Sequence, residues 1–175
     1  MVYRGYDRED GLWDIEAELT DVKPYTFRVP NERPFPAHEA IHHLSIRVTL
    51  DDDMVIHDIV TSMDSIPHAE CSSAPLNMHK FKGLRMGGGW RKLINEHIGG
   101  TAGCTHLREM LFNMATAAFQ TLPSGQWHRR EQRGEPHPAV RDATFFINQC
   151  HTWAYHSPTV QRSYPMFYKP LDKKA

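Results

Sequence analysis

HHLSIRVTLDDDMVIHDIVTSM, at residues 42–63, is the stretch that decides the fold. Apolar and polar residues alternate on both sides of three aspartates at residues 51–53, the pattern of two half-buried strands joined by a turn. The stretch therefore predicts a β-hairpin, and the way His43 and His57 face depends on a strand register that the sequence leaves open. One face of its first strand carries, at period two, Leu44, Ile46, Val48 and Leu50.

The segments around the hairpin extend this prediction to the whole chain. LWDIEAELTD at residues 12–21 also alternates and predicts an outer strand. Three prolines in VPNERPFP, at residues 29–36, predict a surface loop. Strands followed by helices predict an α+β fold, in which an antiparallel sheet of the N-terminal strand and the hairpin carries three or four helices on one face. Helical spacing and glycine stops place these helices at residues 75–83, 90–98, 104–122 and, after a polar connection over 123–138, about 139–153.

Composition restricts the class of protein. A chain of 175 residues with 40% apolar residues suits a single domain over residues 1–175. Its 20 Lys and Arg nearly balance its 21 Asp and Glu, so we expect no nucleic-acid partner. The charged N-terminus resembles no signal peptide, and no apolar run reaches the roughly 18 residues of a membrane span, so we expect a cytoplasmic protein without a membrane partner. Three cysteines argue against a disulfide framework.

The start of the longest predicted helix collects reactive side chains. The stretch GGTAGCTHLRE, at residues 99–109, places Cys104 where the first amide groups of a helix stabilise a thiolate. His106 and Glu109 are three residues apart, so they share one helix face within reach of one proton or one metal ion. The alternative is structural, with Cys104 packed in the core, His106 as a capping residue and Glu109 paired on the surface.

Other acid–base candidates lie on the predicted strands and in the loop that follows the hairpin. Asp21 and Lys23 share one strand face, where each can tune the pKa of the other. Asp58 follows His57 on the hairpin. Further potential ligands come next, at Asp64 and, in a loop, at His68, Glu70 and Cys71. The candidate catalytic residues are therefore His106, Asp21, Lys23, Glu109 and Asp58.

A metal site is the second kind of centre that the sequence permits. Zinc accepts mixed cysteine and histidine ligands, and iron is an alternative, although the closely spaced cysteine pair of a structural zinc site is missing. We expect no organic cofactor, since the glycines at 87–89 lack the Lys-Ser/Thr of a phosphate-binding loop. The candidate metal ligands are Cys71, Cys104, His106 and Cys150.

Four runs resemble one bacterial family, the domain of unknown function 2889. The resemblance extends over nearly the whole chain, and membership of this family implies no activity. The runs are RGYDREDGLWDIEAELTDVKPY (residues 4–25), TLDDDMVIHDIV (49–60), KGLRMGGGWRKLINEHIGGTAGCTHLREML (82–111) and INQCHTWAYHSPTVQRSYPMFY (147–168).

A second likeness concerns the order of a hairpin, a cysteine, FKG, and a cysteine beside a histidine opening a helix. This order is similar to iron–sulfur scaffold proteins of the NifU type, where three cysteines and a histidine or aspartate hold the cluster. The matching positions are Asp58, Cys71, Cys104 and His106. The chain departs from that family at Glu70, where the scaffolds have glycine.

These observations lead to two hypotheses. The first is a small cytoplasmic enzyme of lyase or hydrolase type that uses histidine and carboxylate acid–base chemistry in a pocket between the polar sheet face and the helix opened by Cys104. Its substrate would be a small, aromatic compound, and its reaction could cleave a carbon–carbon bond and release a small carbonyl fragment or CO2. The second is a non-enzymatic metal or iron–sulfur carrier. The sequence also leaves open that the protein only binds a small molecule without catalysis, and that it forms a homo-oligomer.

Overall fold

The computed structural model describes residues 1–136 and 146–171, which fall into two compact units, residues 1–125 and 126–175. The larger unit contains a four-stranded antiparallel sheet with strands in chain order. Its strands are β1 (Val2–Asp7), β2 (Trp13–Val22), β3 (Ala40–Leu50) and β4 (Ile56–Ser65). The hairpin prediction is confirmed, and so is the α+β fold class. The single-domain prediction stays a prediction.

The sheet differs from the prediction at its edge. The segment expected as an outer strand is β2, which lies between β1 and β3. Strand β1 was not predicted. It is an edge strand in which nearly every residue is exposed, so its sequence lacks the alternation of apolar and polar residues that indicates a strand. The loop at residues 29–36 is confirmed. An isolated antiparallel β-bridge joins Phe27, just before the loop, to the buried Phe35 within it.

Helices follow the strands. Helix α1 (Trp90–Ile98) has the predicted bounds, whereas the expected helix at 75–83 belongs to a longer 3-10 segment, Ala69–Phe81, that includes Pro75. Helix α2 (Thr105–Gln132) continues ten residues beyond the predicted end, so the predicted connection over 123–138 is wrong up to residue 132. The short α3 (Pro158–Ser163) lies in the second unit.

The predicted last helix over 139–153 is only partly testable. Residues 139–145 lie outside the described residues, and residues 146–153 form turns and bends rather than an α-helix.

The core of the first unit lies between the sheet and these helices. Strands β2 and β3 alternate as predicted, with every second side chain buried against α1, α2 and the 3-10 segment. The indole of Trp90 ties α1 to α2 by donating a hydrogen bond from Nε1 to the carbonyl oxygen of Leu111, at 2.8 Å. The buried strand residues are Trp13, Ile15, Ala17, Leu19, Leu44, Ile46, Val48 and Leu50.

Glycine allows α2 to pass close to the sheet at two points. A Cβ atom on Gly5 of β1 would overlap the side chain of Thr121, and one on Gly125 would overlap the ring of Trp13. Pro123 and Gly125 are residue types that usually end a helix. Helix α2 continues through both of them because its packing on the sheet favours the helical conformation.

Candidate functional site

One end of the sheet brings a carboxylate and an imidazole together. Asp21, near the end of β2, pairs in register with His42, near the start of β3, next to a bulge at Asp21 and Val22. Side chains alternate along a strand, so Asp21 and His42 lie on the same face as Leu19 and Leu44. That face is the one covered by the helices.

Each carboxylate oxygen of Asp21 has a nitrogen partner. Lys23 Nζ lies 2.6 Å from Oδ1, and His42 Nδ1 lies 3.3 Å from Oδ2. The hydrogen bond from Lys23 is the main cause that lowers the pKa of the Asp21 carboxyl, partial burial opposes it, and His42 adds to the lowering. Asp21 is therefore a carboxylate at neutral pH.

His106, in the first turn of α2, completes the arrangement. Its ring packs against that of His42, with centroids 4.2 Å apart and planes tilted by 41°. Burial lowers the pKa of His106, and the neighbouring His42 lowers it further, while the charge of Asp21 acts in the opposite direction. His106 is therefore a neutral imidazole at neutral pH, which is the form that can accept a proton.

Cys104 lies immediately before α2 and faces the same imidazole. Its Sγ atom is 3.7 Å from His106 Nδ1, and its side chain is partly buried. We call Asp21, Lys23, His42, Cys104 and His106 the His106 cluster. The structure thus brings Asp21, Lys23 and His106, three of the five candidate catalytic residues, into one place.

Sequence reasoning missed His42. The two hairpin histidines singled out from the sequence are paired with carboxylates elsewhere. His43 pairs with Glu18 at 3.0 Å, and His57 pairs with Asp51 at 2.9 Å. The sequence did contain the information. Side chains alternate along a strand, so His42, two residues before Leu44, lies on the apolar face and His43 lies on the polar one.

The other two catalytic candidates form no hydrogen bond or ion pair with the cluster residues in the described part of the chain, although Glu109 is one helix turn from His106. Asp58 forms an ion pair with Lys82 at 2.6 Å and pairs in register with Thr49. Seven positions of β3 separate Thr49 from His42, which corresponds to roughly 23 Å along the strand. Glu109 is near Tyr3, whose pKa is raised by burial and, in smaller part, by the charge of Glu109.

Within the residues that the structure describes, no group of three or more close ligand atoms contains any of the four candidate metal ligands. Cys150 is exposed and belongs to the second unit, while Cys71, Cys104 and His106 belong to the first. Among the described residues, a single group of three ligand atoms within 4.8 Å of one another was found. It consists of the exposed side chains Glu32, His68 and Glu70, and none of the four predicted ligands is in it.

The predicted position of the pocket is also wrong. Helix α2 covers the apolar face of the sheet, so the His106 cluster lies on that side, away from the polar face. The polar face carries a shallow groove of its own, of about 250 Å³, lined by Arg4, Glu16, Glu18, Ser45, Arg47 and Ser62. In the parts of the chain that the structure describes, no helix is long and apolar enough to cross a membrane.

Comparison with known proteins decides the family. The family model described as protein of unknown function (DUF2889) matches residues 1–120, which is more than half of the chain. The chain belongs to the DUF2889 family. No curated protein and no solved structure gives a significant match to it.

All five residues of the His106 cluster lie within the part of the chain that the DUF2889 model matches. The likeness to NifU-type scaffolds finds no support. Of its four matching positions, Asp58 is paired with Lys82, and only Cys104 and His106 are in contact. The family description carries no activity.

Proposed function

We propose that this DUF2889 chain is a small enzyme in which His106 is the general acid–base group for a lyase or hydrolase step. The observation that carries the proposal is the contact of the His106 ring with His42, which itself bonds to Asp21. A neutral imidazole backed by a carboxylate–imidazole pair is an arrangement suited to taking up a proton and returning it.

Each neighbour of His106 has a physical role in this proposal. With its proton on Nδ1, His42 donates to the Asp21 carboxylate, which fixes the orientation of the His42 ring. The charge of Asp21 raises the pKa of His106 and so stabilises the imidazolium that forms when His106 accepts a proton. Burial acts against that charge, which keeps His106 neutral before the reaction.

Lys23 supplies the positive charge of the cluster. Its ammonium group holds Asp21 ionised, and about a third of its side chain is accessible to solvent. We assign Lys23 to the binding of an anionic group on the substrate, because a partly accessible ammonium can contact a second carboxylate or a phosphate. Glu109 and Asp58 have no role in this proposal, since neither lies in the cluster.

The proposed reaction is cleavage of a carbon–carbon bond in a small aromatic substrate. His106 removes the proton of a hydroxyl group, the carbon–oxygen double bond forms, and the adjacent carbon–carbon bond breaks. The electron pair of that bond remains on the carbon next to the aromatic system, which then takes the proton back from His106. A small carbonyl compound leaves, and no electron acceptor or organic cofactor is needed. Loss of CO2 from a carboxylate at the same position takes up one proton from the imidazolium form of His106, which then regains a proton from water.

A substrate screen with matched histidine variants tests the proposal. The purified protein is incubated with hydroxylated phenylpropanoid acids and β-hydroxy carbonyl compounds, and released aldehyde and CO2 are measured. We expect His106→Ala to reduce turnover by about 10²-fold or more, the usual contribution of a general acid–base group. His57→Ala, which changes an exposed histidine paired with Asp51, should retain activity.

The same samples separate this proposal from its rivals. Equal turnover in the wild type and His106→Ala would contradict it. Stoichiometric zinc or iron by elemental analysis, together with loss of turnover after chelation, would favour the metal-carrier hypothesis instead. A cytoplasmic location, a small-molecule partner and the absence of a nucleic-acid partner remain parts of the proposal.

A further inference from the structure

A groove separate from the His106 cluster lies on the outer side of α2. It has a volume of about 470 Å³ and runs between the turn at Gly87 and Gly88 and the helix, next to Met54 and Met86. Past Gly87 it adjoins a recess of about 480 Å³ that Trp90 and Arg91 line. Both openings share Gly87 and Ala115, so we treat them as one feature, the glycine groove.

The floor of the glycine groove is a second apolar stripe of α2. Phe112, Ala115 and Phe119 follow one another at spacings of three and four residues, so they lie on one helix face. This face is distinct from the stripe that contains Leu111, Met114 and Ala118, which is fully buried in the core. Phe119 remains 43% exposed, so part of its ring borders the groove.

The groove is open because the opposing turn has no side chains. A Cβ atom added to Gly88 would meet no atom within 4 Å, and one on Gly87 would meet only the flexible side chain of Arg85. Beneath the turn, the partly exposed Met54 supplies flexible apolar surface that can adapt to a ligand, and the fully buried Met86 packs next to it.

A positive charge stands at one end of this apolar floor. The guanidinium carbon of Arg91 lies 4.6 Å from the centre of the Phe112 ring, which holds the side chain against the helix. Over residues 1–136 and 146–171, the ion pairs found include Lys92 with Glu96 but none that engages Arg91. The planar donors of Arg91 are therefore available for a carboxylate, which they match in geometry.

We propose that the glycine groove binds a small carboxylate with a hydrophobic tail, a medium-chain fatty acid such as octanoate. The carboxylate contacts Arg91, and the tail lies along Ala115 toward Phe119 and Met54. Seven helix positions separate Phe112 from Phe119, which gives a floor of roughly 10 Å, similar in length to such a tail. The groove is a site of its own, because Ala115 is nine positions, or roughly 13 Å, from His106 along α2.

Isothermal titration with octanoate tests this inference, and octan-1-ol serves as the ligand without charge. We expect saturable binding of octanoate and binding of octanol that is at least tenfold weaker. Gly88→Leu places a side chain in the open space, and Arg91→Gln removes the charge, so each should weaken octanoate binding by about tenfold or more. Arg47→Gln, on the polar face of the sheet, is the matched control and should bind octanoate like the wild type.

Circular dichroism and thermal melting establish that each variant is folded. If Gly88→Leu does not fold, Ala115→Leu replaces it, because it fills the same groove from the helix side. Absence of saturable octanoate binding to the wild type would overturn the inference. So would unchanged affinity in folded groove variants, or equal affinity for octanoate and octanol. Sedimentation that shows a dimer dissociated by Phe119→Asp, with no octanoate bound, would assign the groove to self-association instead.

Discussion

The imidazole rings of His42 and His106 pack against each other with centroids 4.2 Å apart, one from the sheet and one from the start of α2. Burial makes it costly to charge His106, and the neighbouring His42 adds to this effect on the pKa of His106. His106 therefore loses its proton more readily than an exposed histidine does. This pair, with Asp21 and Lys23 behind it, is the basis of the proposed chemistry.

The lowered pKa of His106 predicts a pH dependence of stability. Its pKa in the folded state is below the ordinary value of 6.5, so below that pH the unfolded chain binds more protons. The free energy of unfolding should therefore be highest above about pH 7 and should fall as the pH drops through the folded-state pKa. Urea denaturation at a series of pH values measures this slope.

The variant His106→Gln isolates that contribution. Its unfolding free energy should change less than that of the wild type between about pH 7 and pH 5. Asp21, whose pKa is also lowered, contributes in the same direction but at lower pH, near the ordinary carboxyl range. An identical slope in the wild type and His106→Gln would show that His106 titrates at the same pH in both states.

Asp21 should matter for turnover more than for folding. Asp21→Asn removes the charge that stabilises the imidazolium of His106, and we expect turnover on a substrate from the screen to fall by about 10²-fold. Asp58→Asn is the matched control, because Asp58 also bonds to a lysine, Lys82, but lies at the other end of the sheet. Equal losses in the two variants would argue against a role for the cluster.

Strand β1 and helix α2 approach so closely at Gly5 that one added methyl group should lower the free energy of unfolding. A Cβ atom on Gly5 would overlap Thr121, so Gly5→Ala should lower the free energy of unfolding by about 1–3 kcal/mol, the usual cost of overpacking. Thr121→Ala in the Gly5→Ala background should recover part of the loss. Gly88→Ala, where the added atom meets only open space, is the control and should unfold at nearly the wild-type denaturant concentration.

The second unit has its own test at the start of α3. Ser157 Oγ accepts a hydrogen bond from the backbone N–H of Val160 at 3.1 Å and donates one to the carbonyl oxygen of Thr152 at 2.6 Å. Ser157→Ala should cost about 1 kcal/mol, as loss of a helix cap usually does. Hydrogen exchange of the Val160 amide measures this, and unchanged protection would contradict the role of the cap.

Local patterns were sufficient to predict the elements that bury one clear face. The hairpin and α1 were predicted because their apolar residues recur at periods of two and of three to four. Strand β1 has no such pattern, and its pairing with β2 depends on the rest of the sheet. The end of α2 was misplaced because Pro123 and Gly125 resemble a break, whereas Gly125 is needed for close packing on Trp13.

The site was predictable only where the chemistry is local. Cys104 and His106 are two residues apart, so the sequence alone indicated that they could meet. Asp21 and Lys23 were chosen for a similar reason. His42 was missed because its place beside Asp21 depends on the register of β2 and β3, and its contact with His106 depends on how α2 packs on the sheet.

An NMR titration of the His106 imidazole tests the central claim most directly. In the wild type, His106 should titrate below the ordinary value of 6.5, and His42→Gln should raise its pKa because the neighbouring charge is gone. Titration of His106 at the ordinary value in both proteins would contradict the account, since the two rings would then not share one partly buried site.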